Sequence, residues 1–304
     1  MPSCKYHYMN LHQQNQYTIS IIGLGKLGTA LGNQLIGCTV KGWDVVDTDN
    51  SIQTDTLYEA ICDADTIFIV VPSEFFVETI MSIIRAYSDH GRWIEATRVN
   101  MVSFTKGICN NKLPIDIMKK NLPFNPLGVV SGPMLSNELD SVTHAMLGTY
   151  NMNIYNASSI ITRMEHLRLH KTDNATGVTL CGIMKNVYAV GMGMLCADNI
   201  TDNGKSCYAN MALNEMAYVV GNDCILSYAG VGDFLTTCYS TKSRNFTYGW
   251  KTQKGEDTDN IMAEGVKNVH ELLNYSSVDL PIIRAVKTSL QVENAQPLRS
   301  VLTG

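Results

Sequence analysis

Residues 17–31, YTISIIGLGKLGTAL, decide the fold of this chain. Tyr17 to Ile22 is a short run rich in β-branched residues, which reads as a buried strand. It leads directly into Gly23-Leu24-Gly25-Lys26-Leu27-Gly28, after which Leu27, Ala30, Leu31 and Leu35 recur at helical spacing. Strand, glycine turn and helix in that order form the setting in which G-x-G-x-x-G binds a dinucleotide. Gly23 would permit the tight turn, Gly25 the approach of a pyrophosphate to the backbone, and Gly28 the packing of helix on strand. The helix N-terminus, with Lys26 and Leu27 in its first turn, would face the phosphates.

Cys38 to Trp43 reads as the next strand, and Asp44 stands at its end, 21 positions after Gly23. That distance suits a carboxylate accepting from a ribose 2′-hydroxyl. A carboxylate would repel a 2′-phosphate, which favours NAD over NADP and leaves NADP as the second candidate; Asp47 and Asp49 compete for the same role. After a short helix at 57–62, Asp65 to Val71 is a continuous apolar run, as suits a parallel strand covered on both faces. Further strands are expected at 98–104 and 128–130. They end at Pro72-Ser73, Thr105-Lys106-Gly107 and Ser131-Gly132-Pro133. The carboxyl ends of such strands line the ligand crevice, so Pro72, Lys106 and Pro133 are expected at one rim.

From Val178 onward the character changes to apolar helical segments, at 178–197, 207–220, 261–273 and 282–290. The pattern predicts an α/β protein: a Rossmann-type, doubly wound, mostly parallel sheet in a dinucleotide-binding domain (1–177), then an all-α domain for substrate and catalysis (178–304). The segment VTLCGIMKNVYAVGMGMLCA (178–197) is long enough to span a bilayer, but Lys185 and Asn186 sit at its middle. A lysine at the centre of a spanning helix costs roughly 3 kcal/mol, and the flanks carry no basic anchors. A buried helix, with no membrane insertion, is the expectation. Lys185 then either snorkels to the surface or is an interior ammonium with a tunable pKa, suited to acid–base chemistry.

Composition agrees with an ordinary globular protein, somewhat poor in charge. The 304 residues are 45% hydrophobic and 17% charged, with a net charge of −5 and a pI near 5.8, which argues against nucleic acid as a partner. Nine irregularly spaced cysteines without a C-x-x-C pair argue against a disulfide framework or a zinc site, and suggest reduced thiols in a cytoplasm. No pair among the seven histidines has metal-ligand spacing, and His166-Leu167-Arg168-Leu169-His170 alternates like a strand. The polar N-terminus has no apolar stretch of the kind found in a secretory signal.

In the second half stand Gly232-Asp233-Phe234-Leu235-Thr236-Thr237-Cys238 and Ser243-Arg244-Asn245. Arginine presents a donor fork that matches phosphate oxygens. Taken alone, 243–245 also suits a solvated loop, and Asp233 a helix N-cap. Together with GLGKLGTAL (23–31), VVPSEFF (70–76), TKG (105–107), SGPMLSNEL (131–139), MKNVYAVGMG (184–193), DNGKS (202–206) and AEGV (263–266), these segments resemble, in order and over nearly the whole chain, the bacterial type of NAD(P)-dependent glycerol-3-phosphate dehydrogenase.

The resemblance implies hydride transfer between a nicotinamide and dihydroxyacetone phosphate, giving sn-glycerol 3-phosphate for phospholipid synthesis. Lys185 matches the catalytic lysine, Lys106 a second active-site lysine that also lies near the cofactor, and Asp233 the carboxylate that pairs with Lys185. Asn186, Thr237, Ser243, Arg244 and Asn245 match substrate-contacting positions, the last two at the phosphate. Arg244, Pro72, Glu138 and Glu264 match positions near the cofactor. The chain departs from the pattern in three places: the link from the second strand to Asp65 is short, Asp44-Val45-Val46 replaces a basic residue, and Met211 stands where an arginine is common. Two other readings are open: a related dehydrogenase acting on a different phosphorylated ketone or a 2-hydroxy acid, and a nucleotide-binding regulator without chemistry. Apolar helices in the second half suggest a homodimer.

Overall fold

The computed structural model describes residues 16–303. One sheet holds seven strands: β1 (Thr18–Ile22), β2 (Thr39–Trp43), β3 (Thr66–Ile69), β4 (Asn100–Ser103), β5 (Leu127–Ser131), β6 (Thr143–Tyr150) and β7 (Leu167–Thr172). Their spatial order is β2-β1-β3-β4-β5-β6-β7. The first five run parallel, β6 pairs antiparallel with β5, and β7 pairs parallel with β6. β1, β3, β4 and β5 are buried at every position, which is why their sequences are apolar runs without alternation.

β1 to β5 lie where the apolar runs predict them. β6 has no such signal. Its alternation breaks at Gly148 and Thr149, both buried, and a Cβ added at Gly148 would lie 2.7 Å from Cα of Ala175. The strand therefore carries a glycine and a hydroxyl where a strand pattern would show an apolar residue facing a polar one. In β7 the alternation holds: Leu167 and Leu169 are buried while Arg168 and His170 face outward. β6 brings His144 to 2.8 Å from His170, Nδ1 to Nε2, a pairing that spacing along the chain does not reveal. Among the described residues no three histidine, cysteine or carboxylate side chains are grouped to hold a metal.

The rest of the chain is built around one helix, Ala175–Ala197, in which every residue but Thr176 and Cys196 is buried. It begins where the Asn174 side chain accepts from Gly177 N–H at 2.8 Å. Among the described residues it alone is long and apolar enough to cross a bilayer, and protein covers it on nearly all sides. Helices Asp202–Val220, Asp233–Cys238, Arg244–Lys254, Glu264–Tyr275 and Pro281–Gln291 pack around it. Two of these approach backbone to backbone. A Cβ at Gly249 would lie 1.9 Å from the carbonyl oxygen of Val190, and one at Gly265 2.2 Å from that of Asn186. Buried Glu215 ties three helices together: its carboxylate accepts from Ile282 N–H (2.7 Å), Ile283 N–H (3.1 Å) and Tyr188 Oη–H (3.1 Å).

The Gly249 contact leaves no room for a methyl group, and overpacking of this kind costs about 1–3 kcal/mol. Gly249→Ala is expected to lower the unfolding free energy measured in urea by an amount in that range, with a lower midpoint, and an unchanged midpoint would show that the two helices do not meet as described.

Candidate active site

The carboxyl ends of β3, β4 and β5 lie side by side because the three strands are parallel neighbours. Lys106, in the loop after β4, donates from Nζ to the carbonyl of Gly132 after β5 at 3.0 Å, and Gly107 of the same loop packs against Ser73 after β3. The three loops thus meet at one rim, as expected for the crevice. Above them runs the central helix. Its Gly182 leaves space for the Lys106 stem, since a Cβ there would lie 3.4 Å from Lys106 Cγ and 2.6 Å from Ser131 Oγ.

One turn further along, Lys185 is 7% exposed, and Asp233 opposite it is 1% exposed. Lys185 therefore does not snorkel to water. Its Nζ stands 2.9 Å from Asp233 Oδ1 and donates to Thr237 Oγ1 at 2.6 Å. Lys106 Nζ takes the other carboxylate oxygen, Oδ2, at 2.8 Å. Thr237 donates in turn to the backbone carbonyl of Asp233 at 2.7 Å. Asp233 is the first residue of helix Asp233–Cys238, behind the cap Gly232, so its carboxylate is free of any capping task.

The electrostatics follow from this sharing. Burial alone would push the Asp233 carboxyl up, but the ammonium groups of Lys106 and Lys185 outweigh it and hold the group below its usual range. Lys185 moves the other way. Burial is the largest cause and lowers it, the Asp233 charge opposes that, the Lys106 charge adds to it, and the result is about 8. An amine titrating there can donate and accept a proton near neutrality.

Asn186, the residue after Lys185, accepts at Oδ1 from Asn245 Nδ2 at 3.0 Å, and Asn245 Oδ1 accepts from Gly265 N–H at 2.9 Å. Gly249 and Gly265 allow the two helices to come this close. Segment 243–245 is no loose loop: Ser243 caps helix Arg244–Lys254 by accepting from Phe246 N–H at 3.3 Å, Asn245 is buried, and only Arg244 is exposed.

At the other end of the crevice, Gly23 has a φ of +101°, and its missing Cβ would lie 2.5 Å from the carbonyl of Val70. Gly28 packs against the Gly23 carbonyl, while Gly25 faces open space at the start of helix Lys26–Gly32, with Lys26 exposed and Leu27 half-buried. Asp44 Oδ2 accepts from Leu24 N–H at 2.7 Å, which holds the carboxylate against the glycine turn. This backbone cradle and its acidic partner fit a dinucleotide. Exposed Pro72 precedes helix Ser73–Asp89, and Glu264 accepts from Ser73 Oγ at 2.9 Å across the two halves. Exposed Glu138 pairs with Lys242 at 2.6 Å, one position before Ser243. The cluster also contains Ser131 and Gly132, from the S-G-P motif at the end of β5, and Asn268, which the sequence did not single out and which has no local signal at all.

A nucleotide cradle on a doubly wound sheet, facing a helical unit with a tuned lysine, belongs to the dinucleotide-dependent oxidoreductases. Residues 45–154 match the model of the NAD-dependent glycerol-3-phosphate dehydrogenase N-terminus, and residues 174–300 that of its C-terminus. The chain belongs to this family. It is 30% identical to the glycerol-3-phosphate dehydrogenase [NAD(P)+] of Acinetobacter baylyi over 93% of its own length and 88% of that protein. It is 26% identical to the enzyme of the same name from Alcanivorax borkumensis, covering 95% and 93%. Its fold is similar to that of the glycerol-3-phosphate dehydrogenase of Coxiella burnetii, with a TM-score of 0.84, 23% identity and coverage of 94% and 99%.

Because the Asp233 charge opposes the fall in the Lys185 pKa, Asp233→Asn is expected to move deprotonation of Lys185 to below pH 8. Acylation of Lys185 as a function of pH, followed by mass spectrometry, reads this out, and an unmoved or higher midpoint would contradict the pairing.

Proposed function

We propose that this chain interconverts dihydroxyacetone phosphate and sn-glycerol 3-phosphate with NAD(P), and that NAD is the preferred form. The observation that carries the proposal is the buried Lys185–Asp233–Lys106 cluster, beside the Asn186–Asn245 pair and the exposed arginine that begins the next helix. When bound, the nicotinamide supplies hydride to the ketone carbon or takes it back from the alcohol.

In ketone reduction, the Lys185 ammonium gives a proton to the carbonyl oxygen as the alcohol forms; in the reverse direction the free amine accepts it. Asp233 holds Lys185 in place and offsets its burial, and Thr237 directs Nζ. Lys106 orients the substrate oxygen. Arg244 grips the phosphate with charge-assisted hydrogen bonds. Each amide nitrogen carries two donors, so Asn245 has one left after Asn186, and Asn186 has both of its own. Ser243 keeps its hydroxyl proton for the same phosphate while its oxygen caps the helix.

For the cofactor, the proposed contacts are the backbone of Gly23, Gly25, Lys26, Leu27 and Gly28, with Pro72, Lys106, Glu138, Arg244 and Glu264 around the rest. Asp44 supports NAD over NADP, because its charge would lie where a 2′-phosphate arrives. The division is proposed as 1–177 for cofactor and 178–304 for substrate, which the start of the central helix at Ala175 supports. The product would supply phospholipid synthesis, as the resemblance implies, in the cytoplasm, a location supported by the irregularly spaced cysteines. Exposed Tyr218 and Leu226 in the helical half support a homodimer, which light scattering would test.

Purified protein is expected to oxidise NADH faster than NADPH, and only when dihydroxyacetone phosphate is present. Lys185→Met should lower kcat by about 10³-fold, within the 10²–10⁴ range of positioned acid–base groups; retained turnover would remove its role. Arg244→Ala should raise the KM for the phosphorylated ketone by about 10–100-fold, the worth of one or two charged hydrogen bonds. A KM left unchanged would remove the phosphate assignment.

A further inference from the structure

The loop that carries Lys106 is held from the opposite half of the chain. Asn268, on helix Glu264–Tyr275, is 1% exposed. Its Oδ1 accepts from Ile108 N–H at 3.0 Å, and its Nδ2 donates to the Lys106 carbonyl at 3.3 Å. These two backbone groups flank Gly107, where a Cβ would lie 2.4 Å from Ser73 Cβ and 2.9 Å from Glu264 Oε2. On the other side of Lys106, Thr105 Oγ1 donates to the Val71 carbonyl at 2.7 Å. Backbone is therefore pinned on both sides of Lys106, and only its side chain is left to reach Gly132 and Asp233.

We infer that Asn268 is a positioning residue of the active site: its amide clamps the 106–108 backbone so that the Lys106 ammonium stays on Asp233 Oδ2. The inference rests on the proposed role of Lys106 and adds to it. The physical consequence is a partition of one carboxylate. With Lys106 in place, Asp233 is shared between two cations, and the second cation also repels a proton on Lys185. With Lys106 displaced, Asp233 Oδ1 and Oδ2 both serve Lys185, and the repulsion is gone. The titratable neighbours of Lys185 are Asp233 and Cys238 on the short helix and Lys106 on the loop. Arg244 and Glu264 stand at the starts of two helices packed on the central one, and neither is substituted in any of the variants.

A buried asparagine that merely satisfies two backbone groups would affect stability alone. The test separates the two roles. Asn268→Leu removes both hydrogen bonds while keeping the same branching of the side chain. Asn268→Asp keeps the acceptor for Ile108 N–H but sets a carboxylate against the Lys106 carbonyl. Both full-length variants are assayed for glycerol 3-phosphate oxidation from pH 6 to 10, with Lys106→Met and wild type alongside. Misplacement of a catalytic group by about 1 Å costs up to about 10²-fold, so kcat/KM is expected to fall by about that factor in Asn268→Leu. The acid limb of its profile should also move to higher pH, because Lys185 must lose its proton first and is now more basic. Asn268→Asp should show a smaller effect in the same direction, and it carries the test should the Leu variant fail to fold. An unchanged kcat/KM, or a fall without movement of the limb, overturns the inference. Should Lys106→Met lose activity while the Asn268 variants do not, the clamp alone is wrong; should Lys106→Met keep full activity, the role of Lys106 falls instead.

Discussion

One carboxylate shared between two lysines governs this molecule. An uncompensated ammonium in a protein interior costs several kcal/mol, and here two of them meet at Asp233 with only 1% of that residue exposed. The Asp233 charge opposes the loss of the proton that burial forces on Lys185, and Asp233 would itself be driven towards its neutral form without the two lysines. The three groups come from three separate parts of the chain: the loop after β4, the middle of the central helix, and the start of a short helix. Their mutual dependence fixes the position of each of these parts. It also leaves Lys185 with competing influences of which burial is the stronger, so that it is lowered to about 8, where it can exchange a proton near neutral pH.

The central helix serves as core and site at once. A helix buried on all sides must be nearly all apolar, and its lysine and asparagine then have to find partners inside the protein. Lys185 finds Asp233 and Thr237; Asn186 finds Asn245. Close backbone approach at Gly249 and Gly265 makes this possible, because it brings the first turns of two neighbouring helices up to Asn186. The same approach leaves exposed Arg244 next to buried Asn245 and sets Glu264 against Ser73 of the sheet half.

Much of this could be read in the linear chain. The run YTISIIGLGKLG specifies strand, turn and helix, because a φ of +101° at Gly23 and the contact of Gly28 with its carbonyl demand glycine at both positions. The uninterrupted apolar runs mark β1, β3, β4 and β5, because burial on both faces removes alternation. β6 escaped, since the buried Gly148 and Thr149 reflect packing against the central helix and not a strand preference. The His144–His170 contact escaped with it, as it exists only because β6 and β7 are neighbours.

For the site, the sequence by itself determined the chemistry on offer: Lys185 and Asn186 inside an apolar helix, Asp233 and Thr237 four apart on one helical face, Ser243-Arg244-Asn245 beside them, and a nucleotide turn far upstream. These are local properties, set by composition and spacing. The resemblance already paired Asp233 with Lys185; only the tertiary structure placed Lys106 on the same carboxylate and Asn268 behind the loop that carries it. Asp233 lies 127 positions from Lys106 and 48 from Lys185, and Asn268 holds a loop 160 positions away. Such distances are closed by the packing of sheet against helices, which no short window of sequence encodes; hence the shared carboxylate and the amide behind Lys106 were visible only in three dimensions.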